Sequence, residues 1–462
     1  MMLWLSVILF LLLRLPSLFE PYWYGDEGVY LVLGQGIRNG LMLYSQIHDN
    51  KPPAIYLLAA FTQTVFGFRL LLLLWMIPTC YYFYQLAKNY LSPKLSQVAL
   101  LIFVILTSIP VVEGHIANAE IFMLLPTILG FLLFEKYIFW SGLSLGLALM
   151  FKVPVAIEFF FLFCYGFFIL KKYKDIKSLV IFGLSFFIPT IILSIYYYSI
   201  GTLLPFLSAS FLQNFGYLSS WSTGTQQSSP TSSGLPLRFV LMILSWIVFY
   251  FQLNRKLIDK KMFFLSSWFT ACLFGVLLST RPYPHYLIQI IPSLILIILS
   301  QRKYFFHKIL IVLALIYSIF HYKFYFYPTF SYYQNFIQYI LNQKDVSSYR
   351  QYFGSDVNNF YKISSYIQQN TTSQDKIFVW SDDPYLYPLS NRLPSTKYIT
   401  SYHILDFNGY SQTMYQLKIN LPKIIVYKLS MNRPFSGLDD FISNYYVLDN
   451  QIGQYYLFYR LR

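Results

Sequence analysis

Residues 22–56 read YWYGDEGVYLVLGQGIRNGLMLYSQIHDNKPPAIY. This polar, aromatic stretch follows an apolar run at 2–18 and carries Asp26, Glu27, Asp49 and Lys51. Adjacent carboxylates beside an apolar surface raise each other's pKa. Pro52-Pro53 sets the entry to the next helix. A bare Asp-Glu pair in a loop is most often solvated surface, but here aromatics flank it and an apolar run precedes it. A carboxylate so placed can accept a proton from a hydroxyl. A lysine nearby can hold a phosphate as a point charge.

Outward from this loop, composition decides the class. Of 462 residues, 56% are hydrophobic and 11% charged, against about 25% charged in an ordinary soluble chain. That argues against a soluble globular enzyme. A membrane-crossing helix needs roughly 20 apolar residues. Spans are expected near 2–18, 68–88, 95–111, 118–135, 138–151, 154–170, 178–199, 237–253, 262–279, 284–299 and 308–326. The run 53–66 is too short to cross and reads as an interfacial helix. The first run lacks a basic n-region and an A-x-A site, so it reads as an uncleaved span rather than a removable signal. Cys80, Cys164 and Cys272 each lie in an apolar run. They make neither a disulfide framework nor a zinc spacing.

The formal net charge of +15 would suggest nucleic acid in a soluble protein. Here it reads as orientation, and no nucleic-acid partner is expected. With the N-terminus cytoplasmic, 14 of the 21 Lys and Arg of residues 1–320 fall in cytoplasmic loops, as the positive-inside rule requires. Eleven spans then place the C-terminus extracytoplasmic, in a multi-pass plasma (inner) membrane protein. The ten acids of residues 1–320 show the opposite bias. Glu20, Asp26, Glu27, Asp49, Glu113 and Glu120 fall outside or at outer span ends, while Glu135, Asp175 and Asp259 fall inside. Glu158 falls within a span, where a polar partner is expected.

Residues 1–327 therefore read as a transmembrane catalytic domain with an outer loop at 20–53. A second polar stretch, SSWSTGTQQSSPTSSGLP at 219–236, belongs to a flexible loop spanning 202–236, either a connector or a lid. Residues 328–462 read as a small extracytoplasmic α/β domain. It has an amphipathic helix at 356–369, strands at Lys376–Trp380, 423–427, 445–448 and 455–459, and a turn at 450–453. Asp382-Asp383 reads as a turn. No internal repeat appears, which weakens a transporter built from duplicated halves.

Three further groups could carry chemistry. Glu113 to Glu120 reads EGHIANAE. Glu120 heads an apolar helix, where the macrodipole favours an acid, and His115, Asn118 and Asp49 are candidates to contact an acceptor. Arg281 and His285, in RPYPHY, could bind an anionic head group or merely anchor an aromatic belt. Lys152, in LMFKVPVAIE, could snorkel or bind phosphate. His48, His115 and His285 lie near these acids and could hold a divalent cation. No spacing supports it, and no cofactor is firmly expected.

The order of these motifs resembles the bacterial GT-C glycosyltransferases. They run from a single span through the Asp-Glu loop, DNKPP, FGFRLLLLL, the acid at 120, GLALMFKVP and RPYPHYLIQIIP to a C-terminal segment with VWSDDPYLYPLSNRLPSTKY. The likeness covers nearly the whole chain and is greatest to the family 39 protein mannosyltransferases and the lipid A aminoarabinose transferases. It implies transfer of a sugar from a polyprenyl-phosphate donor to a hydroxyl of a glycan, lipid or protein on the extracytoplasmic face, with inversion. It implies Asp26 as general base, Glu27 as a positioning acid, Glu120 as the second acid and Lys51 as a contact of the lipid phosphate. Arg281 and His285 match a basic, phosphate-facing turn. The departure from pattern is Glu120, where some relatives carry Asp. Two other classes remain open: a transporter or flippase for lipid-linked glycans, and a polymerase or ligase acting on a whole lipid-linked glycan.

Overall fold

The computed structural model describes residues 2–170, 176–214, 234–279, 281–431 and 433–461. Helix stands at every expected span. Among the described residues, five helices are long and apolar enough to cross a membrane. They are Met2–Phe19, Val65–Lys88, Ile176–Ser199, Leu235–Asn254 and Arg302–His321. Other expected spans form shorter helices, such as Ile138–Leu149 and Val155–Cys164. Pro154 separates those two, since proline disfavours helix in the residue before it and lacks an amide hydrogen. Pro78 and Pro189 lie inside long helices, which membrane helices tolerate. Most of the loop at 202–236 lies outside the described residues. Its described start is helical at Leu203–Leu207, and Leu235–Asn254 follows.

By contacts the chain forms two compact units. The first comprises Met1–Ser17, Leu71–Tyr196 and Phe211–Thr329. It is an apolar helical assembly, and small residues bring its helices together. A Cβ on Gly142 would stand 2.1 Å from Ser185 Oγ, and one on Gly146 would stand 2.2 Å from the Phe186 carbonyl oxygen. These glycines, four apart, let Ile138–Leu149 meet the backbone of Ile176–Ser199, the small-xxx-small contact of membrane helices. Asp259 caps Lys260–Val276 by accepting from the Met262 amide at 2.8 Å. Glu158 finds two partners: Trp268 Nε1 and Gln289 Nε2 each donate to it at 2.7 Å.

The second unit comprises Leu18–Leu70, Tyr197–Ser210 and Phe330–Arg462. It holds helices Gly25–Arg38 and Ala54–Thr62 and a five-stranded sheet. The strands are β1 (Lys376–Trp380), β2 (Leu393–Pro394), β3 (Ile424–Lys428), β4 (Tyr446–Ile452) and β5 (Tyr455–Arg460). Their order is β2-β1-β3-β5-β4, with β1 parallel to β2 and β3 and the rest antiparallel. Strand β2 has two residues and carried no periodic signal in the sequence. Gly453, at φ +57°, turns the β4–β5 hairpin. Phe378, Trp380, Ile425, Leu417 and Tyr446 are buried in one core.

Candidate active site

The charged residues singled out above gather in two clusters, one in each unit. In the second unit, Asp26 and Glu27 occupy the first turn of Gly25–Arg38, where the helix dipole favours acids. Successive helical residues point about 100° apart, so the two carboxylates have different surroundings. Glu27 turns inward. Arg69 Nε donates to Glu27 Oε1 at 2.9 Å and Nη2 to Oε2 at 2.5 Å, while Nη1 meets Glu20 Oε2 at 2.6 Å. Tyr332 and Trp23 also donate to Glu20, at 2.6 and 2.7 Å. Arg69 and Glu20 side chains are fully buried and that of Glu27 is 2% exposed. Burial of three charges is tolerable only because every one is paired and hydrogen-bonded.

Asp26 keeps 32% of its side-chain surface. Tyr30, one turn along, donates to its Oδ2 at 3.1 Å, and Lys51 Nζ lies 3.7 Å away. Lys51 Nζ also lies 3.5 Å from Asp49 Oδ2 and 5.1 Å from the Tyr30 ring centre. Its backbone is pinned from both sides. The amide donates to Tyr56 Oη at 3.1 Å, and the carbonyl accepts from Tyr44 Oη at 2.8 Å. Asp49 is buried and accepts from Tyr56 Oη at 2.8 Å and from the Asn50 amide at 2.7 Å. Burial alone would raise its pKa. Lys51, His403 and the Asn50 amide outweigh that and hold the carboxyl well below the usual range. A carboxylate with a cation beside it and part of its surface open can take a proton while the cation faces an anion.

In the first unit, Glu120 lies in the short helix Ala119–Phe122. Lys152 pairs closely with it, and His285 Nε2 stands 3.5 Å from the same oxygen. His285 Nδ1 contacts Glu113 Oε2 closely, so two carboxylates flank one imidazole. Lys152 also sits over the Tyr286 ring at 4.1 Å. Glu113 has φ +58°, a strained region for a non-glycine residue that clusters at functional sites. Arg14 steadies that loop by donating to the carbonyls of Thr107 at 2.5 Å and Gly114 at 3.1 Å. Arg281, His115 and Asn118 are buried as well. Among the described residues no group of three or more His, Cys, Asp or Glu is arranged to hold a metal ion.

Sequence reasoning missed Arg69 and His403 as members of these clusters, and it gave Glu113 no role of its own. The lone arginine at the head of an otherwise apolar helix was the available signal for the first, and Glu113 shared a motif with Glu120. Nothing local marked His403.

No family model matches the chain, and no curated protein does. Comparison of folds is informative. The fold is that of two solved ArnT structures. The chain is similar to ArnT from Cupriavidus metallidurans bound to undecaprenyl phosphate, with TM-score 0.59 and 11% identity over 99% of this chain and 97% of that one. It is similar to the apo state of the same protein with TM-score 0.58 and 13% identity over the same shares. An oligosaccharyltransferase from Archaeoglobus fulgidus matches with TM-score 0.46 and 11% identity, over 93% of this chain and 69% of that one.

Proposed function

We propose that this chain is a membrane glycosyltransferase that moves a sugar from a polyprenyl-phosphate donor to a hydroxyl acceptor, a glycan, lipid or protein, on the extracytoplasmic face. The observation that carries this reading is the half-open Asp26 carboxylate 3.7 Å from Lys51, in a chain with the fold of a protein crystallised with undecaprenyl phosphate. Asp26 is the base. It takes the acceptor's hydroxyl proton as that oxygen bonds to the anomeric carbon from the face opposite the phosphate. The bond from the anomeric carbon to the phosphate oxygen breaks, and polyprenyl phosphate leaves with its charge met by Lys51. The configuration inverts. Glu27 acts through Arg69, fixing the first turn that presents Asp26. In the first unit, Glu120 orients Lys152 and His285; Lys152 and Arg281 offer positive charge to an anionic head group, while His115 and Asn118 are assigned to acceptor contact. The count of basic residues supports an N-terminus in the cytoplasm and a first loop outside.

The test is incubation of the purified protein with a panel of polyprenyl-phosphate sugars, reading release of polyprenyl phosphate. Asp26→Asn should lose transfer while the protein folds and purifies normally. Full activity in that variant rejects Asp26 as base, and transport without any product would point to a flippase.

A further inference from the structure

Lys51 sits between two carboxylates, Asp26 at 3.7 Å and Asp49 at 3.5 Å. Those three charges sum to −1, an unfavourable reception for a phosphate. A fourth group bears on the Asp49 carboxylate. His403, in the helix Ser401–Asp406 that follows the β1–β2 region, turns its Nε2 to Asp49 Oδ1 at 3.5 Å. The ring is buried, and its Nδ1 has no hydrogen-bond partner. A carboxylate only accepts, so Nε2, the ring nitrogen that faces it, is the one placed to donate.

The surrounding packing makes this contact specific. The His48 amide donates to the Lys397 carbonyl at 3.1 Å. The His48 ring packs edge-on to Tyr398 and Phe407, with centres 5.3 and 4.6 Å apart. Residues 397–407 thus clamp the loop 48–51 from one side, while Tyr44 and Tyr56 hold Lys51 from the other. Asp49 is the joint: Oδ2 accepts from Tyr56 and faces Lys51, and Oδ1 faces His403.

We propose that His403 is a positioning residue for Lys51, acting through Asp49. By donating to Oδ1 it holds the carboxylate in the orientation that aims Lys51. It also draws that carboxylate's charge away from the place where a phosphate would meet the lysine. The C-terminal segment is thereby part of the donor site, although it touches no reacting atom. This rests on the reading of Lys51 as the phosphate contact.

The test uses the full-length protein in detergent, with undecaprenyl phosphate as the binding probe and a polyprenyl-phosphate sugar as donor. His403→Ala should weaken probe binding and raise the donor KM by about tenfold, as expected for loss of a hydrogen bond to a charged group, with a smaller fall in kcat. His403→Gln, whose amide can donate from a similar place, should restore most of it. Asp49→Asn should mimic the loss, and adding His403→Ala to it should change nothing further, since both act on one link. A merely structural histidine would lower thermal stability without splitting KM from kcat, and the Asp49 and His403 effects would add. Either unchanged probe binding in His403→Ala or additivity in the double variant overturns the proposal. If Lys51→Met leaves probe binding intact, it is instead the underlying reading that fails.

Discussion

Replacing Arg69 with leucine gives the sharpest test of how the second unit is held together. Arg69 makes contacts of 2.5 to 2.9 Å to two carboxylates, and all three side chains are 0–2% exposed. There is no solvent to screen the charges once the guanidinium is gone. Breaking a buried pair by removing one partner destabilises by about 3–5 kcal/mol, because the remaining charge is left uncompensated. Here two carboxylates lose their cation together. Glu20 retains Tyr332 and Trp23 as donors, which soften its share, so the lower half of that range is expected. Removing the whole set is a different perturbation. A triple variant, Glu20→Gln, Arg69→Met and Glu27→Gln, leaves no buried charge and should lie within about 2 kcal/mol of the parent. The assay is unfolding in mixed micelles of increasing SDS, followed by tryptophan fluorescence. Arg69→Leu within about 1 kcal/mol of the parent, or a triple variant no better than Arg69→Leu, would refute the reasoning.

Other outcomes follow from the same geometry. A Cβ on Gly28 would stand 2.9 Å from both Pro384 Cγ and Tyr385 Cδ1, so Gly28→Ala should destabilise by about 1–3 kcal/mol and lower transfer by displacing the helix turn that carries Asp26. Gly142→Val should impair folding more severely, because even a Cβ there meets Ser185 and the Phe182 carbonyl below 2.5 Å, and yield of monodisperse protein would show it. Burial and the nearby Lys397 push the His48 pKa down to about 3 from an ordinary 6.5. The unfolded chain therefore binds more protons between those values, and stability is present above pH 6.5 and lost as pH falls toward 3. His48→Leu should remove that part of the acid sensitivity in a pH series of thermal unfolding, while the loss below pH 4 from protonation of Asp49 remains.

Much of this chain could be read before its fold was known. Apolar runs placed a helix at each expected position, and strand patterns at Lys376–Trp380 and around β3 to β5 fell where the sheet forms. Those signals are local, since burial of a side chain depends on the repeat of its own segment. The span count was less legible. Eleven apolar runs were read, whereas five described helices are long and apolar enough to cross. Most of the other runs form apolar helices of 10–17 residues, whose length alone does not decide whether they cross.

For the site, the sequence by itself determined the chemistry available: an Asp-Glu pair, a lysine before two prolines, a second acid at a helix head and a basic turn. Only the tertiary structure decided what each one meets there. Asp26 and Glu27 are neighbours in the chain, yet one stays open beside Lys51 and the other is consumed by Arg69. Asp49 faces His403 from a distant segment, and Glu113 meets His285 across 172 residues. No local pattern records such pairings. A charge finds its partner through the packing of distant segments, and burial then fixes whether it is a reactive group or a strut.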